Sequence, residues 1–380
     1  LFEDMPEVKK ACMSEDGKIY YTPYIYDVRA AAAMGYFIRQ DWLDKLGLKT
    51  PKTVNEFYTV LKAFRENDPN GNGKKDEVPY FGRAAAIPSL LQALGARKEW
   101  YVKDGKVHHG RYEAEYETAI ETIAQWYKEG LIDKEIYTRG NNSRDVLLGD
   151  NLGGATHDWF GSTSSYNVSM KDKVPGINLV PILPLADPNG RIIEEYRRPL
   201  LEDGAWGISS SNKKPVETIK YFDFWLSETG RRLLNFGIEG QHYTMVDGKP
   251  KFTDDVLHSK DGTPMPDVLY NNGASIIIGT LSDYDCEAQF THPIASKAMI
   301  DYKQYLTGDF PNLKFTVQEQ KIIDTKSNAI NTYIKEKEQN WVLGVEPVSA
   351  GFDAYINALK NMGMDEIIAI YNAAYQRYIK

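Results

Sequence analysis

The sequence predicts an α/β protein with mixed sheets whose last third is nearly all helix. Three observations carry that expectation. Short runs of aromatic and β-branched residues, such as Gly35-Tyr36-Phe37-Ile38, lie between segments with apolar residues at helical spacing. Strand and helix patterns alternate, which favours sheets flanked by helices. Beyond residue 319 the helical patterns follow one another almost without a break. At roughly 150 residues per domain, the 380 residues correspond to two or three domains, or to two lobes sharing one chain.

Taken in order, a short opening helix leads to a strand at Gly17-Lys18-Ile19-Tyr20-Tyr21. Thr22 to Arg29 reads as an aromatic-polar loop, and Gly35 to Ile38 as a second strand. Asp41-Trp42-Leu43 begins a helical turn that ends near Gly47. The spacing then predicts a helix from Pro51 to Asn67, capped by Thr53 with Glu56 three residues on. Phe57, Val60, Leu61 and Phe64 share its apolar face. A further helix runs from Tyr116 to Lys128, with Ile120, Ile123, Ala124 and Tyr127 inward and Gly130 as its stop. Strands are expected at 78–81, 154–157, 177–183, 206–209 and 275–278. Helices are expected at 216–226, 228–236, 287–305, 319–337, 352–361 and 365–379.

Composition excludes several classes of function. The formal charge of −8 and the pI of about 5.4 leave no basic footprint for nucleic acid. No window of 18 apolar residues offers a membrane span. Hydrophobic residues at 42% and charged residues at 26% suit a packed globular chain rather than a disordered one. Cys12 and Cys286 can form at most one disulfide and no zinc site by themselves; the sequence leaves their pairing open. Tyrosine is abundant, 25 residues beside 14 Phe and 7 Trp. An apolar ring with a polar tip suits the C–H faces and hydroxyl edges of a sugar, although an aromatic-rich core needs the same residues.

The sharpest local signal is Asp68-Pro69-Asn70-Gly71-Asn72-Gly73-Lys74-Lys75-Asp76-Glu77. Oxygen-bearing side chains recur at alternate positions (Asp68, Asn70, Asn72), Gly73 allows a sharp turn, Lys74 offers a carbonyl, and Asp76 follows. This is the front of an EF-hand loop, suited to a hard cation that takes six to eight oxygens. It departs from that pattern where the bidentate glutamate belongs, which here is Pro79; Glu77 can stand in. Three carboxylates favour Ca²⁺ over Mg²⁺, in a structural role with no evident open position. The competing reading is a polar Asn-Gly turn.

Catalytic sets are missing. The six histidines (His108, His109, His157, His242, His258 and His292) show no metal-binding spacing, and neither a G-x-S-x-G elbow nor a dinucleotide loop occurs. Glu194-Glu195 and Asp254-Asp255 are adjacent in sequence, whereas a glycosidase needs carboxylates facing one another across a cleft. With 53 acidic residues, solvated faces account for such pairs.

Several segments together resemble the extracellular solute-binding proteins of ABC importers. They are Gly17 to Tyr24, Arg39-Gln40-Asp41-Trp42-Leu43-Asp44-Lys45-Leu46-Gly47-Leu48 leading into Pro51 to Phe57, the loop Asp68 to Glu77 followed by Val78-Pro79-Tyr80, Phe236 to Tyr243, and the ending Ala373 to Tyr378. More narrowly, the chain resembles the lipoprotein branch that includes alginate-binding and other oligosaccharide-binding proteins. The resemblance implies a two-lobed periplasmic-binding-protein-like fold with an interlobe ligand cleft and a helical C-terminal tail. It implies that Asp68, Asn70, Asn72, Lys74 (carbonyl), Asp76 and Glu77 bind a structural Ca²⁺. It also implies about a hundred further residues before Leu1, carrying a signal peptide and a lipid-anchored cysteine, since Leu1 to Pro6 shows no leader. By the family's topology, residues 1–30 and 206–308 form an N-lobe incomplete at its start, and residues 31–205 and 309–380 form a C-lobe that contains the loop 68–77.

Sugar sites pair flat aromatic faces with planar polar groups. Candidate ligand contacts are Tyr24, Tyr26 and Arg29 after the first strand, Arg83, Trp159 and Phe160 at a glycine-rich turn, Trp206, and Glu239, His242 and Tyr243 after a helix end. Trp159 and Trp206 are flanked by Gly and Asp, which favours a cleft over a core; for Glu239 and Tyr243 a buried, structural role is the favoured reading. Arg83, Arg197 and Arg198 could meet a uronic-acid or sulfate group, since Arg binds carboxylate bidentately. The expected function is non-catalytic capture of an oligosaccharide outside the cell, by a monomer, and delivery to an ABC importer permease. The expected location is extracytoplasmic, as a cell-surface lipoprotein or periplasmic protein, with membrane contact only through a lipid anchor. The alternatives are a glycoside hydrolase or lyase, a binding protein for a peptide or other non-sugar ligand, and an adhesion domain.

Overall fold

The computed structural model describes residues 1–380 except 15, 28, 30, 84, 85, 258, 260–264, 275–280 and 309. The strand expected at 275–278, and His258, lie outside the described residues. In chain order the strands are β1 (Tyr21–Ile25), β2 (Met34–Arg39), β3 (Val78–Tyr80), β4 (Trp100–Lys103), β5 (Lys106–His109), β6 (Gly153–Trp159), β7 (Leu179–Ile182), β8 (Leu201–Gly207), β9 (Tyr243–Val246) and β10 (Lys249–Phe252). The chain divides into two compact units: Leu1–Ala33 with Arg198–Ile300, and Met34–Arg197 with Asp301–Lys380.

The second unit is built on a mixed sheet of order β3-β6-β2-β7, with β3 parallel to β6 and the other pairs antiparallel. Both faces are covered, so β2 is buried along its whole length and reads as an almost continuous apolar run. The helix Val54–Glu66 packs Phe57, Val60, Leu61 and Phe64 into the core, and the expected capping box at Thr53 and Glu56 is formed. Helix Ala114–Lys128 buries Tyr116, Ile120, Ile123 and Trp126. Ala124 and Tyr127, expected inward, are only partly buried, because Trp126 takes the inward position. Three helices, Val317–Val342, Val348–Met362 and Met364–Ile379, form the C-terminal tail. They add Trp341, Phe352, Tyr355 and Leu359 to the same core. Gly363 turns the chain between the last two at φ +97°.

Among the described residues, the first unit holds two two-stranded sheets, β1–β8 and β9–β10. The sequence places the first strand at 17–21 and a loop after it, but residues 21–25 are the strand. They pair with β8, with a bulge between Pro23 and Tyr24. Pro23 lies beside that bulge, where the regular register is already interrupted. That pairing also places residues 198–207 with the first unit. The helix expected at 287–305 is two helices, Tyr284–Phe290 and Pro293–Tyr302, because Pro293 cannot continue the first. The hairpins β4–β5 and β9–β10 turn at Asp104-Gly105 (φ +51° and +71°) and Asp247-Gly248 (φ +50° and +75°).

Candidate functional site

The loop after helix Val54–Glu66 is organised by its own acidic residue. Asp68 adopts φ +47° and accepts hydrogen bonds from the backbone N–H groups of Gly71 (2.9 Å), Asn72 (3.0 Å) and Gly73 (2.9 Å). The Asn70 and Asn72 side-chain oxygens accept from the N–H groups of Asn72 and Lys74, and both amides donate to Asp76. Gly73, at φ +79°, makes the turn that a Cβ would strain. Glu77 closes the loop. Its side chain is only 2% exposed, and one carboxylate oxygen is buried without a hydrogen-bond partner. Burial pushes its carboxyl above the ordinary glutamate range, and the charges of Asp68 and Asp76 add to that. A buried, unpaired carboxylate oxygen beside two more carboxylates fits a hard cation. Among the described residues, no group of three or more His, Cys, Asp or Glu side chains is placed to hold a metal by itself. Any cation here would depend on the Asn70 and Asn72 amides and the Lys74 carbonyl as well.

The candidate ligand contacts fall into two groups. In the second unit, Trp159 ends β6 and is 40% exposed. Its backbone N–H donates to Asp158 at 2.7 Å, and Arg83 pairs with the same buried carboxylate through two guanidinium nitrogens, one at 2.8 Å. Arg144, not anticipated from sequence, stands 3.6 Å from Asp158 and also donates to Ser162 and Thr163. Arg83 is therefore fixed in place by Asp158 and stays partly exposed. Phe160 is fully buried between Phe37 and Tyr302 and is core.

In the first unit, Tyr24 is buried, and its ring lies 5.0 Å from that of Tyr26, over which the Arg198 guanidinium sits at 5.1 Å. Arg198 in turn pairs with Glu287. Arg29 is bound by three carboxylates, Asp27 (2.6 Å), Asp283 (3.1 Å) and Asp285 (3.0 Å), and Asp27 foremost, with Asp285, raises its already high pKa. Trp206, on β8, is 45% exposed with its ring 5.8 Å from Phe222. Glu239 is exposed, whereas His242 and Tyr243 are buried. The His242 Nδ1 accepts the Ile238 N–H at 2.9 Å and Tyr243 packs on Phe236, so both serve the turn after helix Glu228–Phe236. Apart from Asp27 beside Arg29, these arginine partners lie far away in sequence, which is why composition alone did not show them.

The family model described as bacterial extracellular solute-binding protein matches residues 4–232. The chain belongs to that family. Its members are solute-binding proteins rather than enzymes, and the two-lobed periplasmic-binding-protein fold is theirs. The structure superimposes on the alginate-binding protein AlgQ2, solved without its calcium ion, with a TM-score of 0.85 and 41% identity, covering 99% of this chain and 78% of that one. The fructooligosaccharide ABC transporter substrate-binding protein FusA of Streptococcus pneumoniae serotype 4 is 26% identical over 412 residues, covering 100% of this chain and 73% of its own. The lipoprotein LipO of Bacillus subtilis strain 168 is 28% identical over 383 residues, covering 96% and 72%.

Proposed function

We propose that this protein captures an oligosaccharide outside the cell and passes it, chemically unchanged, to an ABC transporter. The observation that carries this is the likeness along 99% of the chain to a carbohydrate-binding protein at 41% identity. Each unit adds a half-exposed indole, Trp159 and Trp206, of the kind on which sugar rings stack. With Arg29, Arg83 and Arg198 already paired to carboxylates, recognition rests on these aromatic faces and on neutral hydrogen-bonding groups. The loop Asp68–Glu77 holds a structural Ca²⁺, a reading supported by the unpaired Glu77 oxygen. The protein acts as a monomer on the outer side of the membrane, anchored through lipid or free in a periplasm, with the transporter's permease as its partner.

Isothermal titration with neutral and uronic oligosaccharides tests this reading. One sugar class is expected to bind with micromolar or tighter affinity. Uniform silence across both classes, from a chain that melts cooperatively, would overturn it.

A further inference from the structure

Three stretches of chain connect the two units, at residues 33–34, 197–198 and 300–301. Just inside the second unit, buried polar groups that neither the ligand nor the cation argument uses tie these stretches to one another. Tyr302 belongs to the third stretch and is fully buried. Its hydroxyl accepts the Tyr36 backbone N–H, on the first stretch, at 2.9 Å, and donates to the Ile182 carbonyl. The second and third stretches are joined by backbone: Glu194 N–H donates to the Tyr305 carbonyl at 2.8 Å, and Thr307 N–H to the Glu194 carbonyl at 2.9 Å. His157 links the second to the first. Its Nε2 lies 3.0 Å from the Glu194 carboxylate, both side chains fully buried, and its ring meets Tyr36 edge-on at 4.7 Å, opposite in register. The other Glu194 oxygen accepts the Tyr196 N–H at 2.8 Å.

The triangle is closed, and it has a steric requirement. A Cβ on Gly35 would stand 2.4 Å from the Phe160 ring and 2.6 Å from that of Tyr302. Breaking any one side strands a buried donor or acceptor, so the sides hold together or fail together.

We propose that Tyr302 is a positioning residue: with His157 and Glu194 it couples the three connecting stretches so that they open as one element rather than as three loops. The consequence for function rests on the reading of the chain as a ligand-binding protein, because ligand release then depends on all three stretches at once. The coupling itself needs no ligand.

Hydrogen exchange read by mass spectrometry tests it on the wild type, Tyr302→Phe and a control, Tyr116→Phe. Tyr116 is equally buried in the same unit, with its hydroxyl on Glu338 at 3.1 Å. Tyr302→Phe is expected to raise exchange in peptides 34–39, 194–200 and 301–307 together, by roughly tenfold. Tyr116→Phe should leave those three peptides as in the wild type. Faster exchange in 301–307 alone, or the same rise in all three peptides in Tyr116→Phe, would overturn the coupling. Ligand dissociation is the second readout and should quicken by roughly threefold or more in Tyr302→Phe but not in the control. A wild type that binds no oligosaccharide would refute the functional reading and leave the exchange result to decide the coupling.

Discussion

Replacing Glu77 by glutamine separates the cation reading of the loop from the plain-turn reading. Without a cation, the ionised carboxylate is buried with one oxygen unpaired, and its folded-state pKa is raised. The unfolded chain then ionises first. Stability is greatest below the unfolded pKa, falls as pH rises through the interval up to the folded pKa, and stays low at pH 7. Calcium reverses this, because it binds the ionised form. At a hundred times its dissociation constant a ligand stabilises the folded state by about 2.7 kcal/mol. In a unit of this size that corresponds to roughly 5–10 °C in Tm. Differential scanning fluorimetry at pH 7 should therefore show a rise of that order when calcium is added to the chelator-treated protein, shrinking toward pH 5. In Glu77→Gln the calcium response should vanish, while the calcium-free Tm stays at or above that of the wild type. An unchanged calcium response in Glu77→Gln, or a wild type indifferent to calcium, would refute the argument.

Other consequences follow from the same structure. Trp159→Ala and Trp206→Ala should each weaken oligosaccharide binding by 10–100-fold (about 1.4–2.8 kcal/mol) with little change in Tm, since both side chains are substantially exposed; titration calorimetry measures this. Phe57→Ala, at a fully buried position, should lower unfolding free energy in urea by about 3–5 kcal/mol. Thr53→Ala removes a formed cap and should cost about 1 kcal/mol in the same assay. His109 is buried against Trp100, and desolvation, with Arg111 adding to it, lowers its pKa to about 3. Its folded pKa lies below the unfolded one, so stability is intact above pH 6.5 and is lost as pH falls toward 3. NMR should find His109 neutral at pH 5, and His109→Gln should flatten the acid limb of the stability curve.

Local signals were legible in the sequence and long-range pairings were not. Helix Val54–Glu66 announced itself because its cap and its apolar spacing are both properties of neighbouring residues. The family and the two-lobed fold were legible in the order of motifs. Strand β1 was misplaced because its pairing with β8 is set by residues far along the chain. Two hairpins were overlooked although Asp104-Gly105 and Asp247-Gly248 are strong turn signals; their flanking strands are only four residues each. Among the ligand candidates, exposure of Trp159 and Trp206 agrees with their polar flanks. The ion pairs of Arg29 with Asp283 and Asp285, and of Arg83 with Asp158, were not legible because those carboxylates are distant in sequence.

Native mass spectrometry after long incubation with a matching oligosaccharide tests the central claim most directly. The account predicts a one-to-one complex whose ligand keeps its intact mass for hours. Shortened sugar products, or no complex at ligand concentrations far above the protein's, would contradict it.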